Sequence, residues 1–485
     1  MHRLSLIAAL AALATAACAP EEAPPAMTVG DTPTSARTPD GAFISWREHL
    51  IDDPATTGVA VSGSDGLGMA DLDGDGFEDV VSVHESDTSY DGEADGHVRI
   101  AFASDDPDVW TNVTLAEGLE AAAPEDVDIA DIDGDGHPDV IVAAELAHLI
   151  YFQNPGADAR TTHWPRLMLP MTRNRGSYIR VFLADLDGDG RPEAIAPNKG
   201  TQNPRPEDYM RETPISVFHV TGDPLDADGW RETVLGNYSV PHNAQPLDVD
   251  GDGDLDIVGG IRGGPRMIWF ENTGGDLGDF VEHPIHVEDG TAVAGFHLDH
   301  ADLNGDGRTD IVTAARFGEP GPRPLVGPSI GLVWLEQPAA PDAPWIVHRI
   351  GTFSPDTVTG IALADIDGDG ALDVFSGSYS MGPRGEDGEV TVDDMLGRLG
   401  WFRNPGVADG EWTRYDISRR KRGMFDDFEA RDLDGDGDVD FVGTRGNSAP
   451  YDGVFWLEQV RTEAPMPAFT RARAADSVEM PLPPG

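Results

Sequence analysis

The stretch DLDGDGFED, residues 71–79, has acidic residues at its first, third, fifth and ninth positions and glycine at its fourth and sixth. Carboxylates this close repel one another unless a cation lies among them, and glycine allows the backbone to turn tightly around such a centre. The same pattern returns six times, as DIDGDGHPD (131–139), DLDGDGRPE (185–193), DVDGDGDLD (248–256), DLNGDGRTD (302–310), DIDGDGALD (365–373) and DLDGDGDVD (432–440). The spacing therefore indicates a repeated cation-binding loop.

The donor atoms at these positions are all oxygens, which favour a hard cation over zinc or copper. Acid-rich, flexible loops suit calcium better than magnesium, so we expect up to seven bound calcium ions. The predicted ligands, by loop, are Asp71, Asp73, Asp75 and Asp79; Asp131, Asp133, Asp135 and Asp139; Asp185, Asp187, Asp189 and Glu193; Asp248, Asp250, Asp252 and Asp256; Asp302, Asn304, Asp306 and Asp310; Asp365, Asp367, Asp369 and Asp373; Asp432, Asp434, Asp436 and Asp440.

An EF-hand is the alternative reading, because its calcium loop begins with a similar pattern. It requires a bidentate Glu at position twelve and a helix on each side. No copy has Glu at position twelve, and β-branched segments such as DVVSV (79–83) follow the acids. We therefore predict that each motif is the turn of a β-hairpin.

The loops recur on average about 60 residues apart, which suits four short strands with their turns. An aromatic strand such as LIYFQNPG (149–156) follows each hairpin, and a strand opened by Trp, such as WTNVTL (110–115), comes next. Four strands repeated radially form a propeller blade. The predicted fold is all-β: a seven-bladed β-propeller of four-stranded antiparallel blades, with the aromatic residues as core between blades.

The ends of the repeat array predict how the ring closes. FISWREHLI (43–51) resembles the fourth strands but precedes the first loop, whereas the last repeat ends soon after VFWLEQV (454–460). The N-terminal segment is therefore expected to supply the outer strand of the last blade, which removes an open sheet edge.

The predicted domains are a signal peptide (1–18), a flexible tether (19–42), the propeller (43–462) and a flexible tail (463–485). Residues 4–17 form an apolar run after Arg3 that is too short to span a bilayer. Cys18 is the only cysteine, which excludes an internal disulfide, and TAAC resembles a lipobox. We expect an extracytoplasmic protein: an outer-membrane or cell-surface lipoprotein anchored at Cys18. Cleavage after Ala16 would instead leave Cys18 incidental and the protein secreted or periplasmic.

The composition excludes one class of partner. There are 33 Lys and Arg against 87 Asp and Glu, a formal net charge of −54. Nucleic-acid binding depends on cationic groups that neutralise phosphates, so no nucleic-acid partner is expected. Contact with a membrane is expected only through the lipid anchor.

The acidic motif, the β-branched strand after it and the WFxNPG strand together resemble the FG-GAP/VCBS repeat family, which includes the calcium-bearing propellers of integrin α subunits. The resemblance covers residues 43 to about 462. It implies that the side chains at positions one, three, five and nine and the carbonyl at position seven bind calcium. Asn304 and Glu193 depart from the usual residues. The family includes adhesins and carbohydrate lyases or dehydratases, so the fold alone does not decide the function.

The candidate ligand-binding residues are expected on the face opposite the acidic loops, at or next to equivalent positions of the repeats. They are Arg180, Lys199, Arg262, His297, Arg316 and Arg445. One interpretation is that these cations pair with Asp126, Asp427, Glu85 and Glu145 and close the channel. The other is a pocket for an anionic ligand on a carbohydrate or protein partner, which would make the chain a surface binding or adhesion module.

Catalysis by a carbohydrate lyase or dehydratase is the rival function. His242, His297 and His300 are candidate bases beside carboxylate-binding Arg. The chain has no G-x-S-x-G nucleophile motif. A binding role is therefore preferred to an enzymatic one.

Overall fold

The computed structural model describes residues 32–470, apart from 87–95, 147, 162, 276, 278, 318–328, 341–342, 354–355, 380–397, 409, 420–423 and 447–451. The predicted signal peptide, Cys18, most of the tether and the tail beyond residue 470 lie outside these described residues. So do large parts of the insertions in the fifth and sixth repeats.

The chain forms seven sheets that follow one another in sequence. The strands are β1 (Phe43–Asp52); in blade one, β2 (Ser64–Ala70), β3 (Asp79–His84), β4 (His97–Phe102) and β5 (Thr111–Glu117); in blade two, β6 (Pro124–Ala130), β7 (Asp139–Ala144), β8 (His148–Phe152) and β9 (Arg166–Met168); in blade three, β10 (Phe182–Ala184), β11 (Glu193–Pro197), β12 (Thr213–Val220) and β13 (Trp230–Tyr238); in blade four, β14 (Pro241–Leu247), β15 (Asp256–Ile261), β16 (Arg266–Asn272) and β17 (Phe280–Ile285).

The remaining strands are, in blade five, β18 (Val293–Ala301), β19 (Asp310–Arg316), β20 (Ile330–Glu336) and β21 (Ile346–Gly351); in blade six, β22 (Thr357–Ala364), β23 (Asp373–Tyr379), β24 (Arg398–Arg403) and β25 (Thr413–Arg419); in blade seven, β26 (Phe428–Arg431), β27 (Asp440–Arg445) and β28 (Gly453–Thr462), followed by β29 (Phe469–Thr470). Helical structure in the described residues is limited to α1 (Pro54–Thr57) and the 3-10 turns Gly118–Ala121, Gly156–Asp158 and Asp208–Met210. Each blade is an antiparallel meander, and the acidic loop, numbered here as its blade, joins the first two strands. The predicted all-β, seven-bladed propeller is confirmed.

The ring closes as the sequence predicts. β1 pairs with β28 in antiparallel register, from Phe43 opposite Thr462 to Leu50 opposite Phe455. The N-terminal strand is thus the fourth strand of blade seven. β29, which was not predicted, adds a short parallel fifth strand outside β1.

The core lies between neighbouring blades and is rich in aromatic side chains. Phe375 of blade six stacks on Phe441 of blade seven, with ring centroids 3.9 Å apart, and Trp46 of β1 packs edge-on against Phe375. Seven tryptophan side chains are almost completely buried: Trp164, Trp230, Trp269, Trp334, Trp345, Trp401 and Trp456. Burial of these rings between blades stabilises the ring as a whole.

Carboxylates at the innermost strands link several neighbouring blades. Asp126 and Asp128 of blade two accept backbone N–H bonds from Val181 (3.0 Å) and Leu183 (2.7 Å) of the blade-three segment. Asp427 accepts the Leu67 N–H at 3.1 Å and so joins blade seven to blade one. These bonds satisfy inner-strand N–H groups at the blade boundaries.

The part of the chain that the structure describes contains no helix with the length and apolarity needed to cross a membrane.

Candidate metal loops and the central channel

The acidic loops are shaped by bonds from backbone N–H groups to their own carboxylates. In loop one, Asp71 Oδ1 accepts the N–H of Gly74 (2.8 Å), and Asp71 Oδ2 accepts that of Gly76 (3.0 Å). Both glycines have positive φ, 76° and 97°, and the two glycines of each other loop do as well. A side chain at either position would strain this turn, which explains the repeated G-D-G.

Carboxylates converge at positions one, three and nine. In loops one to four, one oxygen from each of these three residues lies within 4.8 Å of the others. Glu193, which replaces Asp at position nine of loop three, belongs to such a group with Asp185 and Asp187. Three convergent carboxylates form a donor set that fits a hard divalent cation.

The residue at position nine is buried and holds the hairpin to the third strand of its blade. Asp79 accepts N–H bonds from Leu72 (2.9 Å) at position two and from Ala103 (2.8 Å) after β4. The same pair of bonds recurs at Asp139, Asp256, Asp310, Asp373 and Asp440. This residue therefore has a structural role as well as a place among the predicted ligands.

Burial makes these carboxylates hard to ionise in the absence of a cation. Desolvation, with the charges of Asp73 and Asp75, raises the pKa of Asp79 to about 7, although two backbone hydrogen bonds oppose the shift. The pKa of Asp373 rises to about 8, mainly by desolvation, with the charges of Asp367 and Asp369 adding to it. A divalent cation would reverse this cost by favouring the charged form.

Arginines contact the acids at positions three and five in two loops. Arg160, from the connection between β8 and β9, pairs with Asp73 and Asp75 of loop one. Arg403, at the end of β24, pairs with Asp367 (2.6 Å) and Asp369 (3.0 Å) of loop six. The sequence analysis missed these contacts. The motif WFxNPG contained a signal for one of them, because Arg403 occupies its variable position.

Arg180, one of the predicted cations, lies at the centre of the ring. Its guanidinium is 3.3 Å from Asp126 Oδ1, 3.1 Å from Asp426 Oδ2 and 3.0 Å from His297 Nδ1. Burial alone would raise the pKa of Asp426, but His297 and Arg180 outweigh it and lower that pKa to about 2. Burial lowers the pKa of His297. These side chains form a buried polar cluster contributed by several blades.

The other predicted cations lie at or just after the ends of second strands. Lys199 forms a buried ion pair with Glu145, and Arg445 forms one with Glu48 at 3.1 Å. Arg262 Nη1 is 3.5 Å from His242 Nε2, and Arg316 donates to Ser329 Oγ at 3.2 Å.

His242 shows that several of these cations share one neighbourhood. Desolvation lowers its pKa well below the usual value, and the charges of Arg262, Lys199 and Arg180 lower it further. The ion pairs with Asp126 and Glu145 are contacts of the kind that the channel-closing interpretation expects. The acid of blade seven that pairs with Arg180 is Asp426, whereas the sequence analysis named its neighbour Asp427. A ligand-binding role for the six residues remains a prediction.

A cavity of about 470 Å³ lies on the propeller axis and is lined by the inner strands of all seven blades. Arg180 and His297 contribute to its lining, together with Asp128, Asp299 and Glu429. Desolvation is the main cause that raises the pKa of Asp128 to about 7 and that of Asp299 to about 6. Sequence reasoning missed these acids, although each stands three residues before an acidic loop.

The fold and its loops define a class: a seven-bladed β-propeller with acidic, glycine-containing hairpin turns. The FG-GAP-like repeat matches residues 71–142, 131–196 and 248–313. The chain fits the FG-GAP/VCBS repeat family, as its motif predicted. No curated protein matches the chain.

Solved structures with a similar fold are distant in sequence. Rhamnogalacturonan lyase YesW is 15% identical, with a TM-score of 0.43, over 93% of this chain and 76% of the lyase chain. YCF48 from Cyanidioschyzon merolae is 9% identical, with a TM-score of 0.46, over 85% and 98% of the two chains. Sqt1 of Saccharomyces cerevisiae is 8% identical, with a TM-score of 0.44, over 86% and 98%.

Proposed function

We propose that this chain is an extracytoplasmic calcium-binding β-propeller that works as a surface binding module. The observation that supports the proposal is the convergence of three carboxylates in each of loops one to four, on a turn that recurs seven times. The residues at positions one, three, five and nine would hold the ions. Bound calcium would supply positive charge that balances the negative charges of the buried acids.

Calcium in this role stabilises the fold as well as filling a site. Every loop connects the innermost strand of a blade to the second strand, and its position-nine residue also bonds to the loop backbone. A cation that binds only the folded loop stabilises the folded state by mass action. The single cysteine leaves the chain without an internal disulfide, so metal ions are the available cross-links.

The ligand of the module is proposed to be anionic, either an acidic carbohydrate or carboxylates of a protein partner, bound on the face opposite the loops. Arg262, Lys199 and Arg180 lie around His242 in a chain of net charge −54. Guanidinium groups bind carboxylates in a forked geometry that gives specificity. Because Arg180 and Lys199 also contact acids of the protein, Arg262 is the residue on which this part of the proposal depends most.

The experiment is a titration of the purified protein with matched neutral and acidic oligosaccharides. We expect binding of acidic ligands only, its loss in Arg262→Ala and an unchanged melting temperature. Arg211→Ala is the control, because that side chain is 76% exposed and lies 4.0 Å from its partner Asp208. Equal binding by wild type and Arg262→Ala would contradict the proposed ligand site.

The same titration tests the rival enzyme. A lyase would generate unsaturated products with new ultraviolet absorbance, and it would lose this activity in His297→Ala. Labelling with a radioactive fatty acid tests the proposed anchor, since wild type should incorporate the label and Cys18→Ser should not.

A further inference from the structure

One strand position in each of several blades lies beside the acidic loop. Position nine accepts one N–H from the end of the third strand, or from just after it. The residue immediately before that donor is named here the rim position. In blade two the rim residue is Gln153, which donates to Asp133 at position three of loop two. In blade six it is Arg403, which pairs with positions three and five of loop six. The rim residue can therefore set the local charge at the ligand oxygens.

Blades four, five and seven have an acid at the rim position. Glu271, Glu336 and Glu458 are each bonded to a histidine of the fourth strand, at 2.7, 2.7 and 2.8 Å. These histidines stack on a tryptophan of the third strand in the pairs Trp269 and His283, Trp334 and His348, and Trp456 and His49.

Blade six differs at two coupled positions. Trp401 faces Tyr415 where the other three blades have His, and Arg403 stands where they have Glu. The exchange reverses the charge at the rim, from negative to positive, while the tryptophan is kept.

Loop one also contacts a guanidinium, but this group comes from the neighbouring blade and not from the rim position. The rim residue of blade one is Phe102, and the guanidinium of Arg160, from blade two, lies 5.0 Å from the centre of that ring. The same guanidinium pairs with Asp73 and, at 2.8 Å, with Asp75 of loop one. Contact with the aromatic face and with two carboxylates fixes the position of this guanidinium.

The arginines contact the oxygens that the loop backbone does not use. Asp369 accepts the Ala371 N–H through Oδ1 and Arg403 through Oδ2, both at 3.0 Å. Asp252, at the same position of loop four, also accepts a backbone N–H through Oδ1. No basic side chain among the described residues forms an ion pair with Asp252. An ion bound through Oδ2 would therefore meet a guanidinium in loops one and six but not in loop four.

We propose that Arg160 and Arg403 are built-in counter-charges that make loops one and six the weakest calcium sites, so that they load after loop four. This inference rests on the proposed calcium binding. An ion entering loop one or six must displace a guanidinium from two carboxylates, whereas in loop four the rim glutamate Glu271 adds negative charge nearby.

In blade seven, Arg47 pairs with the rim glutamate Glu458 at 2.8 Å, and Arg461 pairs with Asp438 of the loop at 3.2 Å, so loop seven should be intermediate. In loop five, Arg308 contacts only the acid at position five, so this loop should be intermediate.

The test is a calcium-binding isotherm of the full chain, measured by equilibrium dialysis. Wild type should show at least two classes of site. Arg403→Gln should tighten one site of the weak class by about tenfold, a modest gain because the pair is partly exposed, and Arg403→Glu should tighten it further. The gain should vanish when Asp365→Asn is added, because that change disables loop six. Arg160→Gln should act in the same way on loop one, and Arg211→Gln is the exposed control.

A second readout is stability in chelator. There, Arg160→Gln and Arg403→Gln should melt below wild type, since each loses its internal cation, and excess calcium should remove the deficit. Isotherms of Arg160→Gln and Arg403→Gln that superimpose on that of wild type, or weaker binding in these variants, would overturn the inference and leave the proposed function standing. A wild-type protein that binds no calcium would overturn both.

Discussion

Replacing the buried acid at position nine should destabilise the protein even when no calcium is bound. Asp256 has no exposed surface, and it accepts the N–H groups of Val249 and Asn272, both at 2.8 Å. Asp256→Ala leaves two buried donors without an acceptor, at about 1–3 kcal/mol each. The free energy of unfolding in chelator should therefore fall by about 2–6 kcal/mol.

The control for this prediction is position five of the same loop. Asp252 is exposed and accepts one N–H, from Asp254 at 3.0 Å, so Asp252→Ala should cost less than about 1 kcal/mol in chelator. Asp256→Asn keeps one acceptor oxygen and should fall between the two. Urea unfolding followed by tryptophan fluorescence measures all three variants. Equal stability of Asp256→Ala and Asp252→Ala in chelator would refute a structural role for position nine.

Three further predictions follow from the fold. Deleting residues 43–51, the outer strand of blade seven, should lower the melting temperature far more than deleting 19–31, and equal tolerance of both deletions would contradict the observed closure. Arg445→Ala breaks the buried ion pair with Glu48, so unfolding in urea should show a loss of about 3–5 kcal/mol; a loss below about 1 kcal/mol would contradict it. The pKa of Asp128 is raised from its usual value near 4 to about 7, so the folded state binds the proton more tightly and, in chelator, stability should fall as the pH rises from about 4 to about 7. Asp128→Asn should weaken this dependence, and an unchanged pH profile would count against it.

The sequence was sufficient for the propeller because its evidence is local and repeated. Each acidic loop forces a hairpin turn through its own glycines and carboxylates. The resemblance of residues 43–51 to other outer strands likewise predicted the closure that β1 makes with β28. The short strand β29 was missed because only two residue pairs hold it.

The polar cluster in the central channel was harder to predict, because its contacts join residues far apart in the chain. Arg180 pairs with Asp426, 246 positions away, and the choice between Asp426 and its neighbour Asp427 depends on which side chain faces the axis. Arg160 contacts loop one only because blade two packs beside blade one. Such choices are set by the curvature of the ring and not by any local pattern.

The most direct test of the account is the calcium content of the purified chain after dialysis against calcium-containing buffer, determined by elemental analysis beside a dialysate blank. The account predicts several tightly held ions, up to seven per chain, together with a melting temperature that falls by many degrees after chelation. Calcium no higher than in the blank, with the same melting curve before and after chelation, would contradict it.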